Sequence, residues 1–60
     1  MTWQEAVEEA IAATRATGER ATQTDDEGGE AYAYPLSGGR IAWGYNDPVT
    51  GWCTARGTRE

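Results

Sequence analysis

The 60-residue chain has no histidine, no lysine and no phenylalanine, and only one cysteine, Cys53. Each absence removes a class of chemistry. Without histidine or lysine, the commonest general base and the Schiff-base amine are gone. Cys53 has no imidazole to activate it, so it reads as a half-buried strand cysteine rather than a nucleophile. A lone cysteine forms no intrachain disulfide, and without histidine it makes no metal site. It points to a reducing compartment. No apolar run approaches the roughly 18 residues that span a bilayer. Residues 1–18 carry Glu5, Glu8 and Glu9 and lack a basic start, which excludes a signal peptide. The expectation is a soluble, cytoplasmic, non-enzymatic domain spanning 1–60, with no cofactor and no membrane contact. At this length the buried core is small and stability is marginal.

What is present is negative charge. Net charge is −5, from ten Asp/Glu against five Arg. Residues 1–30 hold eight carboxylates (Glu5, Glu8, Glu9, Glu19, Asp25, Asp26, Glu27, Glu30) against Arg15 and Arg20, a net of −6. Residues 31–60 hold Asp47 and Glu60 against Arg40, Arg56 and Arg59, a net of +1. An acidic first half argues against direct binding to nucleic acid or an anionic membrane. It favours a basic protein partner.

Thr2-Trp3-Gln4-Glu5 fits a capping box, and Ala-rich sequence of high helical propensity follows. Gly18 suits the left-handed residue after a helix. These signals predict a helix over about 3–17. Trp3, Val7, Ala10, Ile11 and Thr14 form its apolar stripe, and Glu5, Glu8, Glu9, Ala12, Arg15 and Ala16 its outer side. Four strands follow, at about 20–25, 30–36, 40–46 and 52–58. The turns are Asp26–Gly29, Ser37-Gly38-Gly39 and Asp47–Gly51, the last with Pro and Gly where a turn wants them. The fold class is α+β, one N-terminal helix on a three- to four-stranded antiparallel meander.

Loops of even length would pair odd positions with even ones across each hairpin. Tyr32, Tyr34, Leu36, Ile41, Trp43, Tyr45 and Trp52 then share a bulky face. Ala31, Ala33, Ala42, Gly44, Cys53 and Ala55 share a small one. A small-residue helix stripe needs bulk beneath it to reach native density. The bulky face is therefore expected under the helix, and the small face in water. One helix does not cover four strands, so part of Tyr32, Tyr45 and Trp52 should stay exposed. Trp3, Tyr34 and Trp43 read as core. Tyr45 and Trp52 read as core edge or as partner hot spots.

Asp25, Asp26 and Glu27 have nothing apolar beside them to desolvate one carboxyl for acid–base work. The run Asp25–Glu30 lacks the spacing and length of a calcium loop. Gly28-Gly29 and Gly38-Gly39 do not lead into helices, so they are turn glycines rather than phosphate cradles. The acidity has two readings. It is a solvated or salt-adapted surface, or its carboxylates imitate nucleic-acid phosphates in a basic groove.

In size and charge the whole chain resembles the phage-encoded anti-CRISPR proteins of the DNA-mimic type. Glu5, Glu8, Glu9 and the run Asp25-Asp26-Glu27-Gly28-Gly29-Glu30 carry that resemblance. The resemblance implies an inhibitor, monomeric and cytoplasmic in the host of a phage or mobile element. Its partner would be a basic nucleic-acid-binding protein such as a Cas subunit. The expected partner-binding residues are Glu5, Glu8, Glu9, Glu19, Asp25, Asp26, Glu27, Glu30, Tyr45 and Trp52. A second reading is an adaptor or oligomerising module that binds through exposed sheet aromatics or the flat Ala/Gly face. A third is an antitoxin-like partner of a basic toxin.

Overall fold

Thr2 opens helix α1, Trp3–Thr17, in the computed structural model, which describes residues 1–60. The capping box forms in both directions. The Glu5 N–H donates to the Thr2 hydroxyl at 3.2 Å, and the Thr2 N–H donates to the Glu5 carboxylate at 2.8 Å. Gly18 closes the helix in the left-handed conformation at φ 75°, its N–H donating to the Thr14 carbonyl. A residue with a Cβ resists that backbone.

Four strands follow: β1 Ala21–Thr24, β2 Glu30–Pro35, β3 Ile41–Asn46 and β4 Cys53–Arg59. They pair antiparallel in chain order, so the sheet is a meander with β1 and β4 at its edges. One helix on one antiparallel sheet is the expected α+β architecture. Trp52 precedes β4 and lies outside it.

The register differs from the expected one. Ala21 pairs with Ala33 and Gln23 with Ala31; Ala31 then pairs with Tyr45 and Ala33 with Trp43. Odd residues face odd residues, because the first two loops hold an odd number of residues. The Asp25 N–H donates to the Gly29 carbonyl and the Leu36 N–H to the Arg40 carbonyl. Each pair closes a three-residue loop, Asp26–Gly28 and Ser37–Gly39. Gly28 has φ 87°, the left-handed residue that a three-residue hairpin uses. The third loop, Pro48–Gly51, has four residues and is closed by the Asp47 N–H on the Trp52 carbonyl. Beyond it the register shifts between Tyr45 and Asn46, pairing Tyr45 with Ala55 and Asn46 with Cys53. The unpaired Thr54 is a bulge that returns β4 to the odd-with-odd register.

The two sheet faces are therefore reassigned. Ala31 and Ala33 lie under the helix and are completely buried. Tyr32 and Tyr34 lie on the opposite, uncovered face. The expectation that the bulky face packs on the helix fails for β2 and holds for β3, where Ile41, Trp43 and Tyr45 turn inward. Small residues on both helix and sheet let the helix approach closely, and density is reached without bulk between them. Ala6, Val7, Ala10 and Ile11 meet Ala31, Ala33, Ile41 and Tyr45, with Trp43 and Ala55 packed at the margin. The buried Thr14 hydroxyl donates to the Ala33 carbonyl at 3.2 Å and fixes the helix to β2. Trp3 and Tyr34, expected in the core, are 38% and 41% exposed. Ala6, not assigned to the apolar stripe, is completely buried. No helix is long and apolar enough to cross a membrane.

Candidate functional site

The meander brings three segments to one end of the molecule: the start of α1, the β1–β2 loop and the β3–β4 loop. The Asp26 N–H donates to the Met1 carbonyl at 3.2 Å, and the Met1 ammonium pairs with the Asp26 carboxylate. The Trp3 ring lies 5.5 Å from the Tyr45 ring, tilted by 40°. Residues from Met1 to Gln4 and from Asp25 to Glu27, with Tyr45, line an open cleft of about 280 Å³. Glu5, Asp25, Asp26, Glu27, Glu30 and Asp47 thus belong to one acidic end.

Asp25 organises this end. One carboxylate oxygen accepts from the Glu27 N–H at 3.0 Å and from the Gly29 N–H at 2.7 Å. The other accepts from the Tyr45 hydroxyl. The Tyr45 bond is the main cause that holds the Asp25 carboxyl below its ordinary range, aided by the Gly29 and Glu27 amides. The same bond, with burial and the charges of Asp25, Glu27 and Asp47, pushes the Tyr45 hydroxyl up to about 12. Tyr45 is 7% exposed, so it is a core residue that shapes the loop and offers no contact surface.

The expected partner-binding carboxylates divide into two groups. Glu5 is occupied by the cap, whose Thr2 hydrogen bonds lower its pKa. Glu8 receives both terminal nitrogens of Arg59, at 2.6 and 2.9 Å, and its pKa is lowered by that contact. Asp25 and Asp26 are engaged as described. Glu9, Glu19, Glu27 and Glu30 are exposed and belong to neither ion pair of the structure. Glu19, expected between the helix and the turn, follows the C-terminus of α1. A 15-residue helix puts it about 22 Å from the acidic end. Charge reversal at Glu5 or Glu8 would therefore disturb the fold as well as the surface. Glu9, Glu27 and Glu30 are the residues that report on charge alone.

Trp52 is where an anchor would be useful. It is 75% exposed at the base of the β3–β4 loop, and Val49 nearby is 89% exposed. Sequence reasoning missed Val49 and Asp47 as members of this end. The Asp47-Pro48-Val49-Thr50-Gly51 turn was recognisable, but hairpin turns alternate between the two ends of a meander. Placing it beside Asp25–Gly29 follows only from counting strands. The opposite end collects Arg15, Arg20, Arg40 and Arg59, together with Glu19 and Glu60. The helix dipole has the matching sense, with acids at its N-terminus and Arg15 in its last turn.

No group of three or more Cys, Asp or Glu side chains is placed to hold a metal ion. The chain matches no protein-family model, and no significantly similar curated protein or solved structure is found.

Proposed function

We propose that the protein is a non-enzymatic inhibitor. Its acidic end enters the basic, nucleic-acid-binding groove of a partner and holds it with Trp52. The observation that carries this reading is the convergence of three separate segments on one end, which holds both the Asp25–Glu30 carboxylates and the exposed Trp52. Carboxylates that imitate phosphates speed encounter with an Arg/Lys-lined groove, and a desolvated aromatic slows release. CRISPR–Cas effector complexes are one class of partner with such a groove. The cytoplasm of a phage-bearing or element-bearing host is the corresponding setting. Glu27 and Glu30, the free carboxylates of this end, carry the charge complementarity with Asp26 and Asp47 beside them, and Glu9 adds charge from the outer side of the helix.

The test is displacement of duplex DNA from nucleic-acid-handling complexes, CRISPR–Cas effectors included, followed by mobility shift. The wild-type chain releases the DNA from its cognate complex. The variant with Glu9→Lys, Glu27→Lys and Glu30→Lys keeps its helical circular-dichroism signal and releases none. Full inhibition by that variant would contradict the reading, as would the absence of displacement from any complex tried.

A further inference from the structure

The sheet face turned away from the helix carries a built surface. Tyr32, Gly44 and Arg56 form one cross-strand row over β2, β3 and β4, and Tyr34, Ala42 and Thr58 the next. The Tyr32 ring leans across Gly44, where any Cβ would overlap it, and its hydroxyl lies 3.6 Å from Cys53 Sγ. The Tyr34 ring runs within 7° of parallel to it, 6.4 Å between centroids. Ala42 and Gly44 are buried beneath these rings although no helix covers this face. Tyr32, Tyr34, Leu36, Arg56 and Thr58 border a cleft of about 410 Å³.

The cleft opens toward β4, an edge strand of seven residues with no proline and no carboxylate. Alternate residues of an edge strand turn their N–H and C=O groups outward, ready to accept another strand. The helix lies mainly over β1, β2 and β3 and reaches β4 through side chains, Glu8 holding Arg59. Charge then selects the occupant. Arg56 and Arg59 are the only charges on β4, and Arg59 is already held by Glu8. Arg56 has no carboxylate in a chain that contains ten. Two copies of β4 side by side would oppose like charges. A nucleic acid would meet a chain of net charge −5 with two free arginines on this face, Arg56 and Arg20, whose guanidinium lies 5.4 Å from the Tyr32 ring centroid, too few to neutralise a phosphate backbone. A short acidic peptide needs no more than these two. Glu30 is the carboxylate on this face, and strand geometry puts it roughly 12 Å from Arg56. That exceeds the physiological screening length of about 8 Å.

We propose that an extended acidic segment of a partner protein adds to β4 as a fifth strand, pairing a carboxylate with Arg56 and laying apolar side chains against Tyr32 and Tyr34. Main-chain pairing supplies affinity and the cleft supplies selectivity. Apart from Glu30 at the margin, this surface is separate from the acidic end, so the fate of one proposal does not decide the other.

The test uses the full ¹⁵N-labelled chain and four probes. These are a decapeptide alternating glutamate with valine and phenylalanine, its lysine counterpart, its N-methylated form and oligothymidylate. The acidic peptide is expected to shift amides of β4 and of Tyr32–Tyr34 and to slow the reaction of Cys53 with a thiol reagent. Arg56→Glu and Tyr34→Ala, both at exposed positions, weaken it by about tenfold or more, while Glu9→Lys and Glu27→Lys do not. The lysine and N-methylated peptides bind at least about tenfold more weakly. The proposal is overturned if the lysine or N-methylated peptide binds equally well, or if the acidic peptide binds elsewhere or not at all. Oligothymidylate on the same amides would replace it with a nucleic-acid surface, and a dimer joined through β4 would replace it with self-association.

Discussion

Asp25 is one residue with three acceptor contacts, and it shows what the acidic run is for. It ties the β1–β2 loop to itself and to Tyr45, so one of the four carboxylates between Asp25 and Glu30 is structural. The pH dependence follows from signs. Asp25, Glu5 and Glu8 all have folded pKa values below their unfolded ones. Their contribution is complete above about pH 5 and is lost as pH falls through the folded values, below about pH 4. Tyr45 is shifted the other way, to about 12. Its contribution is intact below about pH 10 and is lost as pH rises toward the folded value. Thermal unfolding midpoints across the pH range should fall on both sides, and Tyr45→Phe should shrink the alkaline fall. Midpoints that stay level below about pH 4 would contradict the assignment. Gly29 belongs to the same small system. A Cβ there would overlap the Tyr45 hydroxyl, which the core and Asp25 keep from moving aside. Gly29→Ala should cost about 1–3 kcal/mol by denaturant unfolding, as overpacking does.

Among the elements, the helix was legible and the sheet faces were not. Thr2, Glu5 and Gly18 mark the helix ends in the sequence, and their caps form as expected. The strands fall within a residue or so of the expected spans. The faces depend on loop parity, and Asp25-Asp26-Glu27-Gly28-Gly29 reads equally well as a four- or a three-residue loop. Only the hydrogen bond between Asp25 and Gly29 fixes the count, and one residue of slip exchanges the faces of β2. Part of the acidic site was legible for the same local reasons: Glu9, Glu27 and Glu30 are free surface carboxylates. Tyr45 was expected on the correct face but partly exposed, and it is buried; Glu19 was misplaced because its position follows from helix direction. The corrected face has a sharp consequence. Ala33→Leu should destabilise the fold by about 1–3 kcal/mol, since it inserts bulk under the helix. Tyr34→Ala should have a smaller effect, because Tyr34 is 41% exposed. Ile11→Ala should cost about 2–5 kcal/mol. That is much of the roughly 3–9 kcal/mol available to a chain of this length. Equal tolerance of Ala33→Leu and Tyr34→Ala in chemical unfolding would refute the packing described.

For the whole molecule, topology turns a lopsided sequence into a polar body. The sequence is acidic in its first half; the fold is acidic at one end and rich in arginine at the other. Asp47 and Trp52 join the acidic end from the second half of the chain, while Glu19 leaves it. The inhibitor proposed above would need no catalytic group. It would need an acidic end of fixed shape, and the Asp25–Tyr45 bond, the Met1–Asp26 pair and the helix cap fix the loop and the helix start that carry the free carboxylates Glu27 and Glu30. The most direct measurement is the salt dependence of affinity for the basic partner, for wild type and for the Glu9/Glu27/Glu30→Lys variant. Wild-type affinity should fall steeply as ionic strength rises, and the variant should bind weakly with little salt dependence. Wild-type binding that ignores salt, or a variant that matches it at every salt concentration, would show that the acidic end is not the binding surface.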